Sequence, residues 1–312
     1  MIKILKTIDS NLREISKIED GCWINITAPN SHELVYLSKD LEIPLDFLTY
    51  PLDIDERARI EEENGWKLII LKAPRFEKEN EDVPYTSLPI GIILNPYRDI
   101  IITVCSVEIN IISSFVRGKV KNFSTGNKTN LILQIFMKTI LLYLEYLKDI
   151  NRRTNRAEKE LQKAMKNKEL IKLLSIEKSL VYFTTSLKSN KLMMERLQML
   201  KFLEFDRNDK DLLEDIIIEN KQAIEMTDIY SNILSGMMDA FASIISNNLN
   251  VVMKILTSIT IILMLPTLIA SIYGMNIKLP LQDSPNAFII LTIFSLVLTA
   301  IGVIFFIKQE WF

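Results

Sequence analysis

The residues best suited to chemistry are Tyr273-Gly274-Met275-Asn276, which close an apolar run that starts at Ile255 and carries no charge. A helix ending there offers free carbonyl oxygens and the negative end of its dipole, both suited to a cation. Asn276 adds a neutral amide oxygen. Mg²⁺ holds its water tightly and usually keeps several waters when a protein binds it. A ring of Asn276 oxygens can therefore accept hydrogen bonds from the coordinated water, and neutral amides avoid trapping the ion as carboxylates would. Gly274 permits the backbone geometry that brings such a turn close to an axis.

Behind this turn, placing residues at about 100° intervals puts Met253, Leu256, Thr260, Met264, Thr267 and Ser271 in one stripe, within about 60° of its centre. Most of the run's polarity falls in that stripe, as expected of a pore-lining face. Ile259, Ile262, Leu268 and Ile269 fall largely elsewhere, as expected for contacts with lipid or another helix. Small and hydroxylated residues also line ordinary helix contacts in membranes, which is the competing reading of the same stripe. Met253, Leu256 and Met264 would form apolar rings able to close a pore by dewetting, or they are plain packing residues. Pro266 removes one backbone bond and is a possible hinge.

These residues need elements to carry them. The run from Ile255 to Met275 and a second from Ala287 to Ile307 are each about 21 residues, enough to cross a hydrocarbon core roughly 30 Å thick. Charged residues make up 24% of the chain, yet almost none fall between Ile255 and Ile307. The remainder, roughly 250 residues, suits one large domain or two modest ones. The start, Met1-Ile2-Lys3-Ile4-Leu5-Lys6, has no apolar stretch of signal-peptide length, so the N-terminal body is expected to stay in the cytoplasm. Two spans then return Lys308–Phe312 to that side, with Ile277–Asn286 outside. Lys254 and Lys308 at the inner ends, against Lys278 and Asp283 in the loop, give a weak inner excess of basic charge. Trp311 and Phe312 suit the interface.

Apolar runs at Cys22–Thr27, Lys67–Lys72, Leu88–Leu94 and Ile100–Cys105 read as strands, separated by Pro29-Asn30, Asn64-Gly65, Pro84 and Asn95-Pro96. A helix between the first two has Asn30 as its cap and Glu33 as the capping-box partner. After Gly126 almost no Gly or Pro occurs until Pro266. Long helices are expected from about Thr129 past Arg152 and Arg153, from about Leu170 to Phe202, and from about Asp211 into the first span. In the last, Leu212, Ile216, Ala223, Met226, Tyr230, Ile233, Met237, Phe241, Ile244 and Asn248 keep a near-heptad rhythm suited to packing around an axis. Unbroken, that helix would be roughly 90 Å long at about 1.5 Å per residue. Two spans cannot enclose a polar path, so transport requires a ring of subunits.

The Tyr-Gly-Met-Asn tetrapeptide, with Ser246–Thr257 and Pro266–Ala270 before it and a loop and final span after it, resembles the CorA family of divalent-cation channels and transporters. The resemblance implies an α+β cytoplasmic domain (1–125), a long-helix bundle and stalk (126–254), a pore-lining span (255–276), an outer loop (277–286), a second span (287–307) and a cytoplasmic tail (308–312), assembled as a homopentameric funnel in the cell membrane. Gly274, Met275 and Asn276 match the family's selectivity element, and Thr267 and Asn250 match positions offering polar rings along the pore. Asp215 falls where members bind regulatory Mg²⁺ between subunits, with Glu219 beside it, and Asp239 matches a second family acid. Glu77, Glu79, Glu81 and Asp82 are the partners considered for Asp215. Cytoplasmic Mg²⁺ bridging subunits would hold the ring closed, and its loss would open it. The chain departs from the family in its loop, where Lys278-Leu279-Pro280-Leu281-Gln282-Asp283 lacks the glutamate of Met-Pro-Glu-Leu. Lys308 alone stands for the C-terminal lysine cluster, which Arg152, Arg153 and Arg156 could partly replace.

Enzyme chemistry has no support. No Gly-rich phosphate loop with Lys is present, so ATP-driven pumping is not expected. The sole histidine, His32, reads as a surface residue of a helix. Cys22 and Cys105 fall in strands as core residues, without a CxxC partner, which fits a reducing compartment and disfavours soft-metal ligation. No organic cofactor and no nucleic-acid partner are expected. A divalent ion gains roughly 4.6 kcal/mol per 100 mV on moving to the negative side, so passive influx of Mg²⁺, with Co²⁺ or Ni²⁺ also able to pass, needs no other drive. The alternatives are a ZntB-like Zn²⁺ transporter, whose members usually vary the residue between Gly and Asn, and a membrane-tethered helical scaffold or sensor.

Overall fold

The computed structural model describes all residues except 10, 79–81, 96, 121–122, 164–166, 201, 282–283, 310 and 312. Glu79, Glu81, Gln282, Asp283 and Phe312, all singled out above, lie outside the described residues. Contacts divide the chain into two units, Met1–Gly236 and Met237–Phe312.

The first unit is built on a seven-stranded sheet of order β2-β1-β3-β7-β6-β5-β4. Its strands are β1 (Ile2–Ile8), β2 (Asn11–Ile15), β3 (Cys22–Thr27), β4 (Arg59–Glu63), β5 (Trp66–Phe76), β6 (Tyr85–Leu94) and β7 (Ile100–Cys105). Only β3 and β7 pair in parallel; every other pairing is antiparallel. The four apolar runs read from the sequence are β3, β5, β6 and β7, four of the five inner strands, whose side chains are mostly buried on both faces. The edge strands escape that reading because they are polar: β4 is Arg-Ile-Glu-Glu-Glu, and charge on an edge is what keeps it from pairing with another chain.

Alternation along each strand separates two apolar layers. Ile24, Ile26, Leu68, Ile70, Ile102 and Val104 pack beneath α1 (Ser31–Leu41) and α2 (Leu45–Thr49). The opposite face carries Trp23, whose ring meets Phe115 of α3 (Asn110–Val116) edge-on at 5.6 Å, and it receives α4 (Lys128–Lys163) and α5 (Asn167–Met199). At the start of α1, Asn30 accepts from the Glu33 backbone N–H at 2.8 Å, and the Glu33 carboxylate accepts from the Asn30 N–H at 2.9 Å, which is the expected capping box.

α5 is buried on two sides. Toward the sheet, Asn190 accepts from the Lys72 N–H (2.9 Å) and donates to the Lys72 carbonyl (2.8 Å), supplying the hydrogen bonds that β4 is too short to give there. Toward α6 (Arg207–Tyr273), the Leu187 carbonyl accepts from Asn220 at 3.2 Å, and Lys188 faces Asp228 at 3.6 Å. The buried stripe of α6 in this unit is Leu213, Ile216, Asn220, Ala223, Thr227 and Leu234. Ile216 and Ala223 belong to the expected heptad stripe, but Ile233 is exposed, and Asn220 and Thr227 take positions that an apolar periodicity overlooks.

In the second unit, α6 continues to Tyr273 and α7 spans Ala287–Lys308. Three helices reach the length and apolarity needed to cross a membrane. The apolar window of α4 is 56% buried within the protein, whereas those of α6 and α7 are 6% and 0% buried. Only the last two have a surface that asks for lipid.

Candidate functional site

Two faces of α6 define the membrane unit. One is partly covered: Ile255, Ser258, Ile262, Leu265, Pro266, Ile269 and Tyr273 recur at helical spacing, and Ser258 has no exposed surface at all. It meets α7, where Leu291, Ser295, Leu298, Gly302 and Phe306 are the less exposed residues. A Cβ added to Gly302 would lie 3.4 Å from a Leu265 methyl, so the absent side chain lets the helices approach. Small residues at such crossings are the usual device where lipid gives no hydrophobic drive for association.

The other face lies on the opposite side of the helix. It consists of Met253, Leu256, Thr260, Met264, Thr267 and Ser271, all exposed, with exposed Asn250 one turn earlier. The hydroxyls of Thr260 and Thr267 donate to the carbonyls of Leu256 (2.8 Å) and Leu263 (2.9 Å), so each is internally satisfied and turns its oxygen lone pairs outward. Within one chain α7 thus packs on the opposite face of α6 and leaves this stripe uncovered.

At the C-terminal end of α6 the helical pattern runs slightly past Tyr273. The Gly274 N–H donates to the Ala270 carbonyl (2.9 Å) and the Met275 N–H to that of Ile272 (3.2 Å), after which Asn276 stands exposed. Gly274 is not one of the left-handed glycines, which among the described residues are Gly21, Gly65 and Gly118. Its contribution is therefore size rather than backbone freedom: a Cβ would sit 3.3 Å from the Ala270 oxygen and 3.5 Å from that of Ser271, shielding the terminal carbonyls. Just past α7, Trp311 folds back with its ring 5.3 Å from that of Phe306.

The acidic residues are dispersed. Among the described residues, no group of three or more His, Cys, Asp or Glu side chains is placed to hold a metal ion. Asp215 and Asp239 are exposed and Glu219 half-exposed, each on α6 and each without an ion pair among the described residues. One exposed carboxylate fits one side of a site shared with another chain; it does not hold an ion alone. Of the partners considered, Glu77 is engaged by Arg75 at 3.0 Å, and Asp82 is exposed.

Arg153 is not a free basic residue. It donates to Asp149 at 2.9 Å and stacks on Phe76, 5.0 Å from the ring centre, while the Tyr85 hydroxyl also donates to Asp149. Burial opposes ionisation of Asp149, but the bonds from Tyr85 and Arg153 outweigh it and hold the carboxyl below its usual range. Burial lowers the ammonium pKa of Lys72, which donates to the Ile54 carbonyl at 2.7 Å. Burial likewise raises the thiols of Cys22 and Cys105, so both are inert core residues, and His32 is exposed on α1.

A large α/β unit followed by two lipid-facing helices, the first ending in a neutral oxygen-rich turn and presenting a polar stripe that looks away from the second, defines a membrane protein. The chain belongs to the CorA family: residues 19–309 match the family described as CorA-like Mg²⁺ transporter protein. That family comprises ion transporters, not enzymes. The cobalt/magnesium transport protein CorA of Methanocaldococcus jannaschii is 31% identical over 97% of this chain and 96% of its own length. The complete structure of the CorA magnesium transporter from the same organism matches all of this chain and 99% of its own, with a TM-score of 0.84 and 27% identity. The ZntB cytoplasmic domain from Vibrio parahaemolyticus covers 80% of the chain at a TM-score of 0.61 and 13% identity, a likeness of fold alone.

Proposed function

We propose that this chain is a Mg²⁺ influx channel, driven by the membrane potential and able to pass Co²⁺ or Ni²⁺. The observation that carries the reading is the opposition of the two faces of α6. With α7 on one side, the Thr260–Thr267–Ser271 stripe is left for neighbouring copies, and a ring of five would turn it onto a common axis. Gly274, Met275 and Asn276 then form the selectivity filter, five amide oxygens gripping the ion through its water. Asn250, Thr260, Thr267 and Ser271 provide polar rings below it, and Met253, Leu256 and Met264 provide the apolar constriction that gates by dewetting.

In this assembly residues 255–276 and 287–307 span the cell membrane, and both termini lie in the cytoplasm. The body comprises the α/β part (1–125) and the long helices (126–254). Asp215, Glu219 and Asp239 hold regulatory Mg²⁺ against neighbouring subunits, a role supported by the exposure of both aspartates and the half-exposure of Glu219, each without an ion pair among the described residues. High internal Mg²⁺ offsets carboxylate repulsion and favours the closed ring.

The test is uptake into proteoliposomes under an inside-negative potential. Mg²⁺ entry that vanishes when the potential is collapsed is the expected result. Entry of Zn²⁺ without Mg²⁺ would move the chain to a ZntB-like route, and silence for every divalent ion would leave a membrane-tethered scaffold.

A further inference from the structure

The filter turn is held at both ends by one residue, Tyr273. Its backbone closes the last turn of α6, immediately before Gly274. Its ring is half-buried in a groove of about 520 Å³ between the two helices, beside Pro266, Ile269 and Ala270 of α6 and Phe288, Leu291 and Thr292 of α7. Its hydroxyl donates to the Pro280 carbonyl at 3.3 Å. Residues 274–279 are thereby bracketed, pinned at one end by the helix and at the other by that bond. Beyond Pro280 the chain turns away: Leu281 is left-handed (φ 68°), and its carbonyl accepts from the Ser284 N–H at 3.1 Å.

We propose that Tyr273 is a positioning residue for ion selection, tethering the outer loop so that Asn276 stays at a fixed distance from the axis. The inference rests on the reading of Gly274-Met275-Asn276 as the filter. Tyr273 sits on the face turned toward α7, opposite the pore stripe, so it acts through the turn and does not touch the ion. Selection of a hydrated ion needs its acceptors at one spacing, because Mg²⁺ keeps its water while the larger Ca²⁺ tolerates irregular, flexible oxygen shells. A loosened turn therefore admits Ca²⁺ before it stops passing Mg²⁺.

The experiment compares wild type with Tyr273→Phe in proteoliposomes under the same potential, measuring Mg²⁺ and Ca²⁺ entry separately. The substitution keeps the ring in its groove and removes only the tether. The Mg²⁺/Ca²⁺ ratio is expected to fall about three- to tenfold, the factor of one ordinary hydrogen bond, with Mg²⁺ entry largely retained and the thermal unfolding midpoint little changed. A single Gly inserted after Lys278 lengthens the bracketed segment, and it is expected to lower the ratio similarly without adding to the effect of Tyr273→Phe. An unchanged ratio in Tyr273→Phe would overturn the inference, as would equal loss of both ions. Absence of Mg²⁺ entry in wild type would instead refute the transport reading.

Discussion

The two units of this chain solve opposite problems with the same side chains. In Met1–Gly236 polar groups are carried inward and satisfied: Thr103 accepts from Trp23 at 2.9 Å and donates to Asn25 at 2.9 Å, Ser87 bonds Ser186, and Asn190 completes the edge of β5. In Met237–Phe312 the apolar residues face outward, Phe288 at 81% exposure being the extreme. Little is buried there beyond Ser258, Phe241 and Phe306. Water drives the first arrangement, since burying apolar surface is what folds it. Lipid removes that drive in the second, and backbone satisfaction within each helix becomes the constraint. Polar side chains are thus carried into the core in the first unit, whereas in the second Thr260, Thr267 and Ser271 stay on an exposed face of α6.

The contrast breaks first at buried amides. Asn190→Leu orphans the N–H and C=O of Lys72, except for the bond of 3.2 Å that the carbonyl accepts from Tyr143. A cost of about 2–5 kcal/mol follows from leaving buried backbone groups unpaired, measured by denaturant unfolding of the full chain in detergent. By comparison, Thr260→Val removes a hydroxyl that already bonds its own helix, so stability should hold within about 0.5 kcal/mol while conductance falls.

Glycines sharpen the comparison next. A Cβ on Gly91 of β6 would lie 2.1 Å from the Pro51 ring, which cannot swing aside as a flexible chain can, so Gly91→Ala is expected to cost about 1–3 kcal/mol. On Gly302 the nearest atom is the end of a flexible leucine at 3.4 Å. Gly302→Ala should therefore stay below about 1 kcal/mol. Equal effects would mean that the two units pack alike.

Acid gives the smallest effect. Asp149 titrates below its unfolded value, so its contribution is present above the unfolded pKa, near 4, and is lost as pH falls through the folded one. Asp149→Asn should flatten that part of the acid-unfolding curve and leave the curve above about pH 6 parallel to wild type.

Legibility in the sequence follows the same division. The spans were readable because lipid admits few solutions, and α7 begins at Ala287 as expected. β3 and β7 carry the expected limits, and the Asn30–Glu33 box forms as drawn, since each rests on local chemistry. The edge strands β2 and β4 were missed because polar residues on an edge look like loop, and β1, paired between β2 and β3, because lysines interrupt its apolar residues. Asn190 and Asn220 were missed because amides read as surface until a backbone group needs them. The stripe from Met253 to Ser271 was legible as one face of α6, but only the structure shows that α7 occupies the opposite one.

If Gly274-Met275-Asn276 selects the ion, replacing the amide in Asn276→Ala should abolish that selection. Potential-driven Mg²⁺ entry is to be measured in proteoliposomes holding equal amounts of wild type and variant, both checked for assembly. A loss of tenfold or more in Mg²⁺ entry with assembly intact is the expected result. Entry at the wild-type rate with unchanged ion preference would contradict the account, because the amide oxygen could not then be what grips the hydrated ion.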